Sequence, residues 1–132
     1  MVDTTYKCAY NNRMGGVAVA LDPEEAQGIL VSATNANANS ANETIFDITG
    51  HGTAVFYLNV TAASGTNATL DVTVYEVAPD GKEYSLVTFT QATAVTSERK
   101  AVSGPLGYLI KVKYTIGGTT PSFTFAVSMV AK

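Results

Sequence analysis

Apolar and polar positions alternate with a period of two through most of the chain, which is the signature of strands with one buried face. The clearest run is Ser122-Phe123-Thr124-Phe125-Ala126-Val127-Ser128-Met129, with two Phe, a Val and a Met on one face and small or polar residues on the other. A one-residue slip would exchange the two sets and lose about 6 to 12 kcal/mol, at roughly 1.5 to 3 kcal/mol per buried side chain. Residues 107–116 repeat the pattern through Tyr108, Ile110, Val112, Tyr114 and Ile116, and Gly117-Gly118-Thr119-Thr120-Pro121 is expected to join the two runs as a hairpin loop. A second hairpin is expected from 54–61 and 69–77 around the small-residue stretch 62–68, with Leu70, Val72 and Val74 facing away from Asp71 and Thr73. Pro79-Asp80-Gly81 supplies a turn into a strand over 83–89, because Pro presets φ and Gly accepts positive φ. Shorter candidates at 29–33, 43–48 and 98–102 bring the total to about eight strands.

Short strands, frequent turn signals and no crossover helix predict an all-β fold, an antiparallel two-sheet β-sandwich or jelly roll of about eight strands with an N-terminal arm. A parallel sheet is not expected. The two expected hairpin loops share a phrase at an offset of 53, Gly65-Thr66 … Leu70-Asp71-Val72-Thr73-Val74 against Gly118-Thr119 … Phe123-Thr124-Phe125-Ala126-Val127. The strands before them fall out of phase at that offset, so the likeness reads as reused hairpin chemistry and no true repeat. Residues 33–42, ATNANANSAN, carry no apolar payload and read as a loop.

The division of the chain is therefore residues 1–28, an arm with a short helical turn, and 29–132, the β-sandwich domain. The turn is expected at Asp22-Pro23-Glu24-Glu25-Ala26-Gln27-Gly28, which has a cap residue, Pro at the first position, acids in the first turn and a closing Gly. In the arm, Tyr6, Tyr10, Met14, Val17, Val19 and Leu21 are apolar residues with no place in the eight-strand pattern. Two readings stay open: a first strand plus a disordered tail, or an arm that orders on a partner.

Composition narrows the function. With 132 residues, 46% hydrophobic and 14% charged, the chain is long enough and apolar enough for one packed core without disulfides. The single Cys8 cannot form an internal bridge, and with the single His51 it cannot complete a zinc site, so no metal and no cofactor are expected. The longest apolar runs, 17–21 and 54–58, fall far short of the roughly 20 residues of a membrane-spanning helix. No secretory signal is visible in residues 1–12, which suggests synthesis in the cytoplasm.

The net charge of -3 conceals an asymmetry. All eleven acids lie at or before Glu98, offset there only by Lys7, Arg13 and Lys82, whereas Arg99, Lys100, Lys111, Lys113 and Lys132 follow it. Five bases on an acidic chain make a weak nucleic-acid footprint, and no nucleic-acid partner is expected. Lys111 and Lys113 alternate with Ile110, Val112 and Tyr114, so they read as the solvated face of a strand. If copies sit side by side, an acidic edge against a basic one would set their register.

No catalytic constellation emerges. His51 sits between glycines in a turn, with no nucleophile motif anywhere in the chain. Glu24 and Glu25 would point about 100° apart on a helix and suit its N-terminal charge better than acid and base roles. Asp80-Gly81 lacks the alternating acids of a calcium loop. Trp is absent, leaving the seven Tyr as the only candidate sugar platform. Tyr57, Tyr75, Tyr84, Tyr108 and Tyr114 fall within the expected strands, where most are read as buried or half-buried. The expectation is a building block or binding module and not an enzyme.

Three stretches carry a family likeness: Ala54-Val55-Phe56-Tyr57-Leu58-Asn59-Val60-Thr61-Ala62-Ala63-Ser64-Gly65-Thr66, then Thr69-Leu70-Asp71-Val72-Thr73-Val74 with Phe89-Thr90-Gln91, and the long phrase from Ser103-Gly104-Pro105-Leu106-Gly107-Tyr108 to Pro121-Ser122-Phe123. From Ile29 onward the chain resembles small β proteins of the structural gene modules of tailed bacteriophages and prophages. Where those relatives carry a longer Asp-Gly-Gly turn followed by Trp, this chain has Pro79-Asp80-Gly81-Lys82-Glu83-Tyr84. The resemblance implies a virion component made in the host bacterial cytoplasm, a homotrimeric capsid decoration (cement) protein on the capsid surface whose partner is the major capsid protein. The six apolar arm residues named above are then the expected capsid or subunit contacts. A tail, neck or baseplate protein of the same virion, or a carbohydrate-binding module for host adsorption, are the alternatives.

Overall fold

The computed structural model describes Ala18–Ala20 and residues 26–132. The regular elements there are all strands: β1 (Ala18–Ala20), β2 (Ala26–Ala36), β3 (Ile45–Asp47), β4 (Ala54–Val77), β5 (Glu83–Thr88), β6 (Thr96–Val102) and β7 (Leu109–Ala131). They belong to one seven-stranded sheet. Six strands pair antiparallel, in agreement with the period-two pattern. β1 is the exception and runs parallel to β3, with Ala18 opposite Ile45. The connection between them is long enough for a parallel return because β2 and its following loop intervene.

Neither expected hairpin forms. Segments 54–61 and 69–77 are successive halves of the 24-residue β4, and 109–116 and 122–129 are successive halves of the 23-residue β7. These two strands pair with each other along their whole length, from Ala54 opposite Ala131 to Val77 opposite Leu109. The turn residues are spent inside the ribbon, where register shifts fall at Val60/Ala62, Ser64/Thr66 and Thr66/Thr69. Gly65, Asn67, Gly118 and Thr120 all have positive φ there, at 115°, 53°, 108° and 46°. The two Gly-Thr phrases face each other, with Thr66 opposite Thr119. A Cβ on Gly65 would lie 2.7 Å from the Thr120 carbonyl oxygen and 2.8 Å from the Pro121 Cα. One on Gly118 would lie 2.7 Å from both the Ala68 Cα and the Asn67 carbonyl oxygen. A positive-φ glycine serves a bulge as well as a reversal, and long-range pairing decided between the two.

Around this midpoint the ribbon has two differently flanked halves. Residues 54–60 of β4 and 123–131 of β7 are bordered by β6 and β2. Residues 73–77 of β4 border β5, and 109–111 of β7 border β3, with β1 beyond. Side chains from both halves meet in one core: Phe56, Leu58, Val60, Phe125, Val127 and Met129 with Leu70, Val72, Val74, Ile110 and Val112. Tyr114 meets Phe125 edge to face across that core, ring centroids 5.0 Å apart at 83°.

The stretch read as loop over 33–42 is partly strand, since β2 continues to Ala36. Beyond it, polar residues occupy the edge of β7 in place of a strand. Ser40 donates its N–H to the Tyr114 carbonyl (2.9 Å), its Oγ accepts the Tyr114 N–H (3.0 Å), and Asn39 Oδ1 accepts the Ile116 N–H (2.9 Å). Small polar side chains thus satisfy backbone groups that would otherwise lack partners. Of the expected helical turn, residues 22–25 lie outside the described residues, and Ala26, Gln27 and Gly28 open β2. β2 therefore begins three residues before the boundary expected at 29.

Candidate functional site

Alternation and register together define the outer face of the half formed by β2, β7, β4 and β6. Ala54, Phe56, Leu58 and Val60 point into the core, so Val55, Tyr57 and Asn59 point out. Register extends this into three rows across four strands: Gln27, Val130, Val55, Ala101; then Ile29, Ser128, Tyr57, Arg99; then Ser32, Ala126, Asn59, Ser97. Arg99 is the single charged residue in those rows. Ile29 is 64% exposed and Tyr57 37%, while Asn59 Oδ1 accepts the Ser97 hydroxyl at 2.9 Å.

The outer face of the other half is charged. Glu83 on β5 contacts Lys111 and Lys113 on β7, each at 2.5 Å, and the Lys113 ammonium lies 5.4 Å from the centre of the Tyr75 ring. Hydrogen bonds from Lys111 and then Lys113 hold the Glu83 carboxyl below its ordinary pKa, and the bond to Glu83 raises that of Lys113. The basic strip after Glu98 is thus largely paired within the chain, since Lys100 also lies 3.4 Å from Glu98. This local pairing weakens the idea of an acidic edge of one copy against a basic edge of the next.

At the end of the ribbon where β4 leaves and β7 enters is a groove of about 690 Å³. Val77 and Leu109, buried with Ile45 in a small apolar cluster, form part of its wall together with Ala78 and Pro79. Tyr84 and Tyr108 line it and are 51% and 64% exposed. The Gly107 N–H donates to Glu76 Oε2, which fixes the carboxylate at the wall. The alternation puts Tyr84 inside a strand, as it is in β5, and puts Tyr108 inside one as well, and it gives no sign of this groove. Tyr108 instead precedes β7, and the breakers Gly104 and Pro105 just before it are the signal that the chain is still irregular there.

Of the expected contact residues, Val19 is on β1, opposite Phe46 in the register with β3. Tyr6, Tyr10, Met14, Val17 and Leu21 lie outside the described residues. His51 follows β3 in a turn, where its N–H donates to the Ile48 carbonyl at 3.2 Å. The turn is braced by buried Asp47, whose Oδ1 accepts the Thr49 N–H (2.9 Å) and hydroxyl (2.6 Å). Among the described residues no three His, Cys, Asp or Glu side chains come together as a metal site, and no helix is long and apolar enough to cross a membrane. No known protein-family model matches the chain, and no curated protein matches it either.

Proposed function

We propose that the chain is a structural protein of a tailed-bacteriophage virion, a capsid decoration protein that lies on the outer surface of the major capsid protein shell and stabilises it. The observation that carries this reading is the outer face of β2, β7, β4 and β6. Its three rows hold one charge, the exposed side chains of Ile29 and Tyr57, and otherwise valine, small or uncharged polar residues, a surface suited to lying on another protein. The resemblance from Ile29 onward supplies the virion context. In this reading the two halves of the β4–β7 ribbon, bent at Gly65 and Gly118, are the two sheets of a β-sandwich of jelly-roll type, because both contribute to one core cluster.

Size limits what the face does alone. At about 4.8 Å between strands and 3.3 Å per residue, the three rows cover roughly 350 Å², under half of the ~800 Å² each partner gives to a stable complex. The arm residues Tyr6, Tyr10, Met14, Val17, Val19 and Leu21 supply the remainder in this reading. Quantitative mass spectrometry of purified particles of the encoding phage tests it: a ratio to the major capsid protein near one to one or one to two is expected, whereas a dozen copies or fewer moves the protein to neck or tail. Binding of purified protein to undecorated shells then separates the two surfaces. Deleting residues 2–21 should abolish binding and leave a folded domain, and Ile29→Lys with Tyr57→Glu should weaken binding by at least tenfold; retained binding in both variants overturns the proposal.

A further inference from the structure

The groove at the ribbon end is unrelated to the outer face of β2, β7, β4 and β6 and points to a separate ligand. We infer that it binds an extended proline-rich segment of a partner protein that carries a basic side chain next to its prolines. Two observations choose this occupant. The first is the lining: Val77, Ala78, Pro79 and Leu109 are apolar, and Tyr84 and Tyr108 present exposed rings tipped by hydroxyls. Polyproline II segments dock into aromatic-lined grooves of this kind, because their rings need no donors and their exposed carbonyls accept bonds from Tyr hydroxyls. A sugar needs partners for several hydroxyls, and each one left buried without a partner weakens binding. Only the Glu76 carboxylate and two phenols offer side-chain partners here.

The second observation is charge. Glu76 is held at the groove wall by the Gly107 N–H, and Asp80 stands in the turn beside Pro79, its Oδ1 taken by the Lys82 N–H at 2.9 Å. Tyr84 stands directly opposite Glu76 in the β4–β5 register, and the Lys82 ammonium lies 5.5 Å from the centre of the Tyr84 ring; among the groove-lining residues Glu76 is the one that carries charge, and it attracts a cation. A basic residue of the ligand is therefore directed to Glu76.

The test uses the full chain labelled with ¹⁵N and three probes: a ten-residue proline-rich peptide with one Arg, the same peptide with Gln for Arg, and a panel of neutral mono- and disaccharides. The Arg peptide is expected to shift the amides of Val77, Gly107 and Leu109 with saturation. Tyr108→Ala should weaken it about tenfold, the scale of an aromatic anchor, and Tyr84→Ala should weaken it as well. Both residues are exposed, so unchanged amide positions in β2 and β6 will show that the variants fold. Glu76→Gln, which keeps an acceptor for Gly107, should weaken the Arg peptide severalfold and leave the Gln peptide unchanged. No shift at millimolar peptide, equal affinity for the Tyr108→Ala variant, or saccharides shifting these amides while peptides do not would each overturn the inference.

Discussion

At Thr120 a β-branched side chain occupies φ 46°, a region where such residues cost energy and glycine does not. Thr120→Gly is expected to raise stability by up to ~1 kcal/mol in urea denaturation despite the added chain entropy. The neighbouring glycines behave oppositely. Gly65→Ala and Gly118→Ala drive a methyl group to 2.7 Å from backbone atoms that cannot yield without opening the ribbon, and each should cost more than about 2 kcal/mol. A loss below 0.5 kcal/mol at both would mean that the bulged midpoint of the ribbon is packed more loosely than these distances require. Glu83 is a residue-scale case of pH dependence. Its lowered pKa means that its stabilisation is complete above the unfolded carboxyl pKa of roughly 4.3 and is lost as pH falls through the folded value. Glu83→Gln should thus cost about 0.5 to 1 kcal/mol at pH 7, for two partly exposed pairs. Near pH 2 to 3 the difference from the parent should shrink toward zero, as urea titrations at the two pH values will show.

The elements differ in how firmly they are held. β4 and β7 bury alternate residues on one face through both halves and are each flanked by further strands, so amide exchange of Leu58, Val72, Val112 and Val127 should be the slowest in the protein. Amides of Ile45 and Phe46 in the three-residue β3 should exchange faster. Phe123→Ala, at a fully buried position beside the irregular midpoint of the ribbon, should cost about 3 to 5 kcal/mol. The alternation from Phe123 to Met129 made this strand's buried face readable from the sequence alone, and Ile110, Val112, Leu70, Val72 and Val74 follow it equally. What the pattern did not contain was partner choice. Gly65 and Gly118 carry the same chemistry whether they reverse the chain or bulge it, and only the pairing of Thr66 with Thr119 distinguishes the outcomes. The candidate surfaces were hidden for the same reason, since the rows that unite Ile29, Ser128, Tyr57 and Arg99 come from four distant segments. Tyr108 was misplaced because its alternation with Ile110 continues past the true start of β7.

As a whole the molecule presents two unlike outer faces on one ribbon: a nearly uncharged one around Ile29 and Tyr57, and one whose charges close on one another through Glu83. A particle held through the first should tolerate high salt, because the contact depends little on charge; release from shells at 1 M NaCl would contradict that assignment. The β4–β7 ribbon also sets a clock. Its partners are nearest in sequence at Val77 and Leu109 and farthest apart at Ala54 and Ala131, so closure proceeds most cheaply from the first end toward the second. Substitutions at Val74 or Val112 should therefore slow refolding, and those at Ala54 or Ala131 should chiefly speed unfolding. On the ribosome, β5 and β6 reach β4 first, but its longest pairing waits until β7 has been synthesised, and the core that encloses Met129 closes only after nearly all of the described chain has emerged. Until then Phe56, Leu58 and Val60 lack the β7 side chains that complete their core, and the nascent chain stays aggregation-prone until β7 has emerged.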